Sequence, residues 1–357
     1  MKKSYSLFLS LFLFLLSELS FSATYYSRAN GNWNTLSTWS TTSCSGALAG
    51  TIPGPSDNVI ICTGRTITMN GNPASCLSLT VNGTANWTNT FTTNVGTGGL
   101  FLNNGGSLDG TSIGVLNVNG PFSVPAAALC SIGGISMTIT GTSTVSGNLN
   151  WGNNAGTKNI GSLIVASTGT WNNAINEDFK FNGDFQNNGT FNSGTTAINT
   201  FSGSGKSISG TSATTISRFD CSGSYTNNGN LIISLRFVGT GSFSQGPAGV
   251  LNIACSDTRF TIATFNASAV GNTVTFARSG AGMGLGNQTV RLPSDGSYSS
   301  LTIAGNGTKY LAASASYSGN VLISGATLAT NNFNMTVAGN FTNNSAFTAG
   351  TGTVTFN

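Results

Sequence analysis

Histidine is absent from this chain of 357 residues. Its absence removes Ser-His-Asp and Cys-His catalysis, histidine-held zinc and haem, and the commonest general base near neutral pH. Charge is scarce too: 6% of residues are Asp, Glu, Lys or Arg, where ~25% is ordinary. An enzyme interior inside a charged shell does not fit that composition. Beyond Lys2 and Lys3, the basic residues from Arg28 to Lys309 are scattered singly, and no stripe tracks a phosphate backbone, which argues against nucleic acid as a partner. After the N-terminus no apolar run reaches 18 residues, so an integral membrane protein built of helices is not expected. No apolar pattern of helical period survives past a turn or two.

The N-terminus reads as an export signal over residues 1–23. Lys2 and Lys3 supply a basic start, Leu7 to Leu16 an almost unbroken apolar stretch, and Ser20 to Ala23 small residues for cleavage. The stretch is too short to span a bilayer, which takes ~20 residues. The expected location is secreted or at the outer cell surface. Six cysteines are an even number in an exported chain and permit disulfides. Cys44–Cys62, closing the loop that holds Pro53 and Pro55, is the preferred pairing. No pair has Cys-x2-Cys spacing, so zinc is not expected.

What the chain has in quantity is glycine, 48 residues, together with 22 phenylalanines and an apolar share of 39%. That apolar share argues against a disordered linker. It falls in short alternating runs ended by Gly or Asn, such as Leu77 to Val81 before Asn82-Gly83 and Met335-Thr336-Val337 before Ala338-Gly339. Such runs predict short strands. Their spacing is close to 20: Gly120 to Gly141 is 21, Gly183, Gly203 and Gly223 step by 20, as do Trp151, Trp171 and Phe191, and as do Phe181, Phe201 and Cys221. Asn pairs at 103–104, 153–154, 172–173 and 331–332 suit turns and side-chain ladders between coils.

A fixed period is the mark of stacked coils. The predicted fold is therefore all-β: a parallel β-helix or β-solenoid with coils of about 20 residues and an N-terminal capping segment. The cap is placed at 24–78 and the solenoid at 79–357, continuing beyond the C-terminus. About 14 coils at ~4.8 Å per strand make a rod of roughly 65 Å. An uncapped C-terminal end offers a route to self-association.

The motif Gly183-Asp184-Phe185-Gln186-Asn187-Asn188-Gly189 recurs as Gly223-Ser224-Tyr225-Thr226-Asn227-Asn228-Gly229 and as Gly339-Asn340-Phe341-Thr342-Asn343-Asn344-Ser345. The unit from Gly339 to Asn357 resembles the coils of large repetitive surface proteins exported by Bacteroidetes-type bacteria. Trp33 to Trp39, with Ile52 to Val59, is similar to the segment that opens many of them and faintly to G8-like domains. The resemblance implies an adhesive surface β-solenoid, commonly followed by a C-terminal domain for type IX secretion. It transfers no catalytic residue, because the matching positions are turns and core.

Candidate chemistry is sparse. Glu177, Asp178 and Asp184 are the one carboxylate cluster, and Asp178 shares an outward face with Lys180 across Phe179. Asp220, Asp257 and Asp295 step by 37 and 38, a spacing that would align them every second coil. Gly105 to Gly110 resembles a calcium turn but does not repeat. Thr-x-Thr at Thr66, Thr138, Thr273 and Thr353 is too irregular for an ice-binding array. Trp33, Trp39 and Trp87, at the cap or the first coils, are read first as core packing and, as the alternative, are the candidate glycan contacts. The expectation is a non-catalytic stalk or adhesive segment without catalytic residues, cofactor or metal, meeting cell-surface or environmental glycans. Its rivals are a polysaccharide-acting β-helix enzyme and a carbohydrate-binding module at the cap.

Overall fold

One strand shows how the chain folds locally. In Phe179–Phe181 the two phenylalanines are buried and Lys180 between them is exposed, as the two-residue period of a strand requires. Phe185–Asn187 and Thr190–Asn192 repeat that alternation after short turns. These three strands form one coil, and its neighbours pair with it in parallel: Phe181 lies in register with Ile160 on one side and Phe201 on the other. The computed structural model describes residues 22–71, 73–110, 114–152, 156–280, 282 and 285–357. It is a parallel β-solenoid of about 14 turns with coils near 20 residues, 53% strand and 2% helix. The export signal, apart from its last two residues, and the Asn153–Asn154 pair lie outside the described residues.

Each coil contributes to three sheets. Sheet 1 holds the first strand of a coil, such as Phe179–Phe181, sheet 2 the second and sheet 3 the third. Sheet 3 is unbroken from 31–32 to 341–343. Coil length varies around the mean: Ile67 pairs with Ala85, 18 residues on, and Val274 with Leu301, 27 residues on. The extra residues leave as loops, so the stack keeps its register while the sequence period drifts.

The interior is a column of aromatic rings. Phe201 stacks on Phe219 at 4.3 Å between centroids and touches Phe181 at 5.2 Å, and Phe237 stacks on Phe260 at 5.2 Å. Tyr298 and Tyr317 continue the column. Trp171 pairs with Phe191 as the spacing predicts. Its partner on the other side is Leu149 rather than Trp151, because that coil is two residues longer. The two indoles still meet, at 4.9 Å.

The recurrent glycines mark one corner between sheets 1 and 2. A Cβ on Gly203 would lie 2.3 Å from the carbonyl oxygen of Asn182, and one on Gly223 1.9 Å from that of Gly203. The corner is too tight for any side chain. On the outer surface asparagines form ladders: Asn192 Nδ2 donates to Asn172 Oδ1 at 3.0 Å, and Asn172 Nδ2 to Asn150 Oδ1 at 2.8 Å. Asn331 and Asn332 adopt left-handed backbone, φ 55° and 68°.

The N-terminal segment joins the stack earlier than its irregular sequence indicates. Asn58–Ile61 already pairs with 78–81 in sheet 2, and Thr66–Thr68 with Thr84–Trp87 in sheet 3. The boundary at residue 79 therefore cuts through continuous coils. What is irregular lies in 28–57, apart from Gly31–Asn32, which joins sheet 3. There Trp39–Ser40 pairs antiparallel with the free side of Thr24–Ser27, and so covers an edge that would otherwise invite another chain.

Candidate functional site

The cap is held by packing and by one covalent bond. Cys44 and Cys62 are joined with Cα atoms 6.0 Å apart, as the sequence reading prefers. Trp33 and Trp39 meet edge to face at 5.3 Å, and Trp39 Nε1 donates to the Trp33 carbonyl at 2.7 Å. Trp87 Nε1 donates to Thr93 Oγ1. The expectation that these three indoles contact glycans is corrected: they are 2%, 0% and 0% exposed, so no sugar ring reaches their faces. Their apolar bodies close the base of the core, where burial contributes more than an exposed stacking face.

The carboxylates separate into different tasks. Glu177 turns inward and meets Lys158 at 3.3 Å, both side chains essentially fully buried. Burial pushes the Lys158 ammonium below its ordinary pKa, and Glu177 opposes that shift. Asp178 is exposed, and its Oδ1 accepts from the Ile198 amide at 2.7 Å. Asp184 Oδ1 accepts from the amide and hydroxyl of Ser207, one coil on. All three tie coils together; Glu177 and Asp178 line one hollow, and Asp184 stands apart from it.

The alignment expected of Asp220, Asp257 and Asp295 is also corrected. Asp220 bonds Arg236 Nη2 at 2.7 Å; burial raises its pKa and Arg236 opposes that shift. Asp257 accepts from the amide and hydroxyl of Thr289, and Asp295 from the amides of Ala267 and Ser268. Uneven coil lengths put them on different edges. The Thr-x-Thr runs likewise fall on all three sheets, with Thr66 and Thr273 in sheet 3, Thr138 in sheet 1 and Thr353 beside sheet 2. The calcium-like turn at Gly105 to Gly110 spends Asp109 Oδ1 on its neighbour's amide.

Two hollows lie along sheet 1. The first, of about 550 Å³, is lined by Asp178, Lys180, Thr200 and Asp220 together with the buried Lys158 and Glu177. Sequence spacing joins Asp178 to Lys180 but not to Asp220, two coils away. The second, of about 460 Å³, is lined by Arg218, Arg236, Arg259 and Arg278. These arginines look scattered in the sequence because each sits on a different coil; only the stacking brings them together. Among the described residues no three Cys, Asp or Glu side chains gather as a metal site would need, and no helix is long and apolar enough to cross a membrane.

Set against family models, characterised proteins and solved structures, the chain matches none.

Proposed function

We propose that the chain is an exported, non-catalytic β-solenoid that serves as a stalk or adhesive segment at a bacterial cell surface. The observation that carries this reading is the unbroken parallel ladder of sheet 3. Some 14 turns at ~4.8 Å per strand make a rod about 67 Å long. Its aromatic core and backbone hydrogen bonds supply cohesion without surface charge, and its outer faces repeat polar side chains that offer many weak contacts in series. The N-terminal residues, with their basic start and short apolar stretch, supply the address.

The test is expression of the full chain with its own N-terminus in a bacterium, followed by antibody labelling of intact cells. The expected result is labelling without lysis. Antigen confined to the cytosol would remove the surface assignment.

A second reading, a polysaccharide-acting enzyme, is favoured by the hollow that Asp178 and Asp220 share. Paired carboxylates are the usual equipment for glycoside hydrolysis. Here both already accept hydrogen bonds from the fold, which ranks this reading second. Reducing-sugar release that disappears in Asp178→Asn with Asp220→Asn would promote it over the first.

A further inference from the structure

Four arginines line one hollow, and the stacking of coils brings them together. Arg218 lies in register with Arg236 on the next coil. Arg259 immediately precedes Phe260, the register partner of Phe237 one coil further. Arg278 adds a fourth guanidinium to the same cavity, and no Asp or Glu lines it. The chain has 13 Lys and Arg in all, so gathering four of them in one hollow is not what a dispersed distribution does. Like charges opposite one another on neighbouring strands destabilise a sheet.

The fold compensates little of this charge. Asp220 neutralises Arg236, and Arg278 Nη1 donates to the Asn287 carbonyl at 2.6 Å. Among the described residues the side chains of Arg218 and Arg259 donate no hydrogen bond and join no ion pair, and the charge nearest Arg218 is that of Asp220, already bonded to Arg236. Arg236 Nε is buried and likewise donates to nothing. The donors open to a ligand are those of Arg218 and Arg259, whose guanidinium forks have no protein acceptor.

We propose that this hollow binds an acidic polysaccharide, a glycan chain bearing carboxylate or sulfate groups. Each guanidinium offers paired N–H donors that match the geometry of an oxyanion. Successive coils advance by ~4.8 Å, which is close to the advance of one pyranose ring along an extended glycan, so anionic substituents on neighbouring sugars meet arginines on neighbouring coils. Leu235, half-exposed at the wall, offers apolar surface to a sugar face. Nucleic acid fits less well. Single strands are gripped by stacking bases on aromatic side chains, and no aromatic residue lines this cavity. A duplex requires a longer run of phosphate contacts, and the position below Arg218 is Ile198.

The test uses the full chain against four probes at low salt: polygalacturonate for carboxylate, dextran sulfate for sulfate, plain dextran, and poly(U) RNA. At least one acidic glycan should bind tenfold or more tighter than dextran and poly(U), and the preferred probe identifies the anion. Arg218→Gln with Arg259→Gln should weaken that binding at least tenfold, while the charge-matched Arg65→Gln with Lys206→Gln changes it less than twofold. Arg259→Gln alone, on an exposed residue, serves should the double variant melt early, and should show a smaller loss in the same direction. The proposal is overturned by the absence of preference over dextran, by equal binding of poly(U), or by equal losses in the hollow and control variants. It rests on the hollow and not on surface display: a cytosolic protein that still bound acidic glycan would remove the stalk and leave this site standing.

Discussion

Truncating one ring of the interior column is the most direct trial of the stacked architecture, and Phe201→Ala is the substitution that isolates it. Phe201 is fully buried and touches four rings: Phe219 at 4.3 Å, Phe181 and Tyr225 at 5.2 Å, and Phe185 at 5.8 Å. A buried Phe→Ala change costs about 3–5 kcal/mol, depending on how far the site can collapse. Here collapse is resisted, because backbone ladders hold the coils above and below at a set spacing, so the upper part of that range, about 4–5 kcal/mol, applies. Were the solenoid to unfold as one unit, an unfolding entropy near 2.1 cal/mol/K per residue would sum to ~0.7 kcal/mol/K, and the midpoint would fall by about 6 °C. If only the neighbouring coils unfold together, as nearest-neighbour coupling in repeat proteins allows, the drop is larger. Calorimetry, with circular dichroism as a second probe, measures it. Thr200→Ala, on the same strand but facing outward, is the control and should move the midpoint by no more than about 1 °C, as surface changes within ±0.5 kcal/mol do. A shift under about 2 °C for Phe201→Ala, or equal shifts for the two variants, would refute an interior ring column.

Three other outcomes follow from groups buried in the stack. Lys158→Met strands Glu177 without its cation and should destabilise by about 3–5 kcal/mol, whereas Lys158→Met with Glu177→Leu should recover most of that loss in denaturant titration; equal losses in the two proteins would show that the pair is not coupled. The free thiols of Cys76, Cys130, Cys221 and Cys255 are buried, and burial pushes them from 9.0 to about 12, 11, 11 and 12. The unfolded chain loses those protons near pH 9 while the folded chain keeps them, so their contribution is complete below pH 9 and is lost as pH rises to 11 and 12. Lys309 works the other way. Burial and then Arg278 lower it to about 8, so between pH 8 and 10.5 the folded chain has released a proton that the unfolded chain retains, and stability rises there. Four thiols outweigh one amine, and melting temperature should fall above pH 9, less steeply in Cys76→Ala. A thiol reagent should label none of the four in the native protein and all four after denaturation, and rapid native labelling would contradict their burial.

The period of 20 is legible because parallel strands stack like on like, so a coil length becomes a sequence spacing. Gly203 and Gly223, Phe181 and Phe201, and Trp171 and Phe191 are all read correctly by that rule. It fails where a coil lengthens: Trp151 misses Trp171 by two residues, and Asp220, Asp257 and Asp295 diverge. The glycan-contact alternative for the cap tryptophans fails for another reason. An indole that stacks on a sugar and an indole that closes a core look alike in one dimension, and Trp33, Trp39 and Trp87 prove to be core.

Alternation and repetition, which are local and periodic, specified by themselves that this chain is a parallel stack and which side chains of its regular coils fill it, while the Cys44–Cys62 bond, preferred from the sequence over unpaired thiols, was decided by the structure. The arginine hollow and the inward turn of Glu177 onto Lys158 were decided only by the tertiary structure. Both join residues on different coils whose separations in sequence, 18 for Arg218 to Arg236 and 23 for Arg236 to Arg259, follow the length of each intervening loop. Loop length obeys no period, so a neighbour relation that depends on it exists only once the coils have closed.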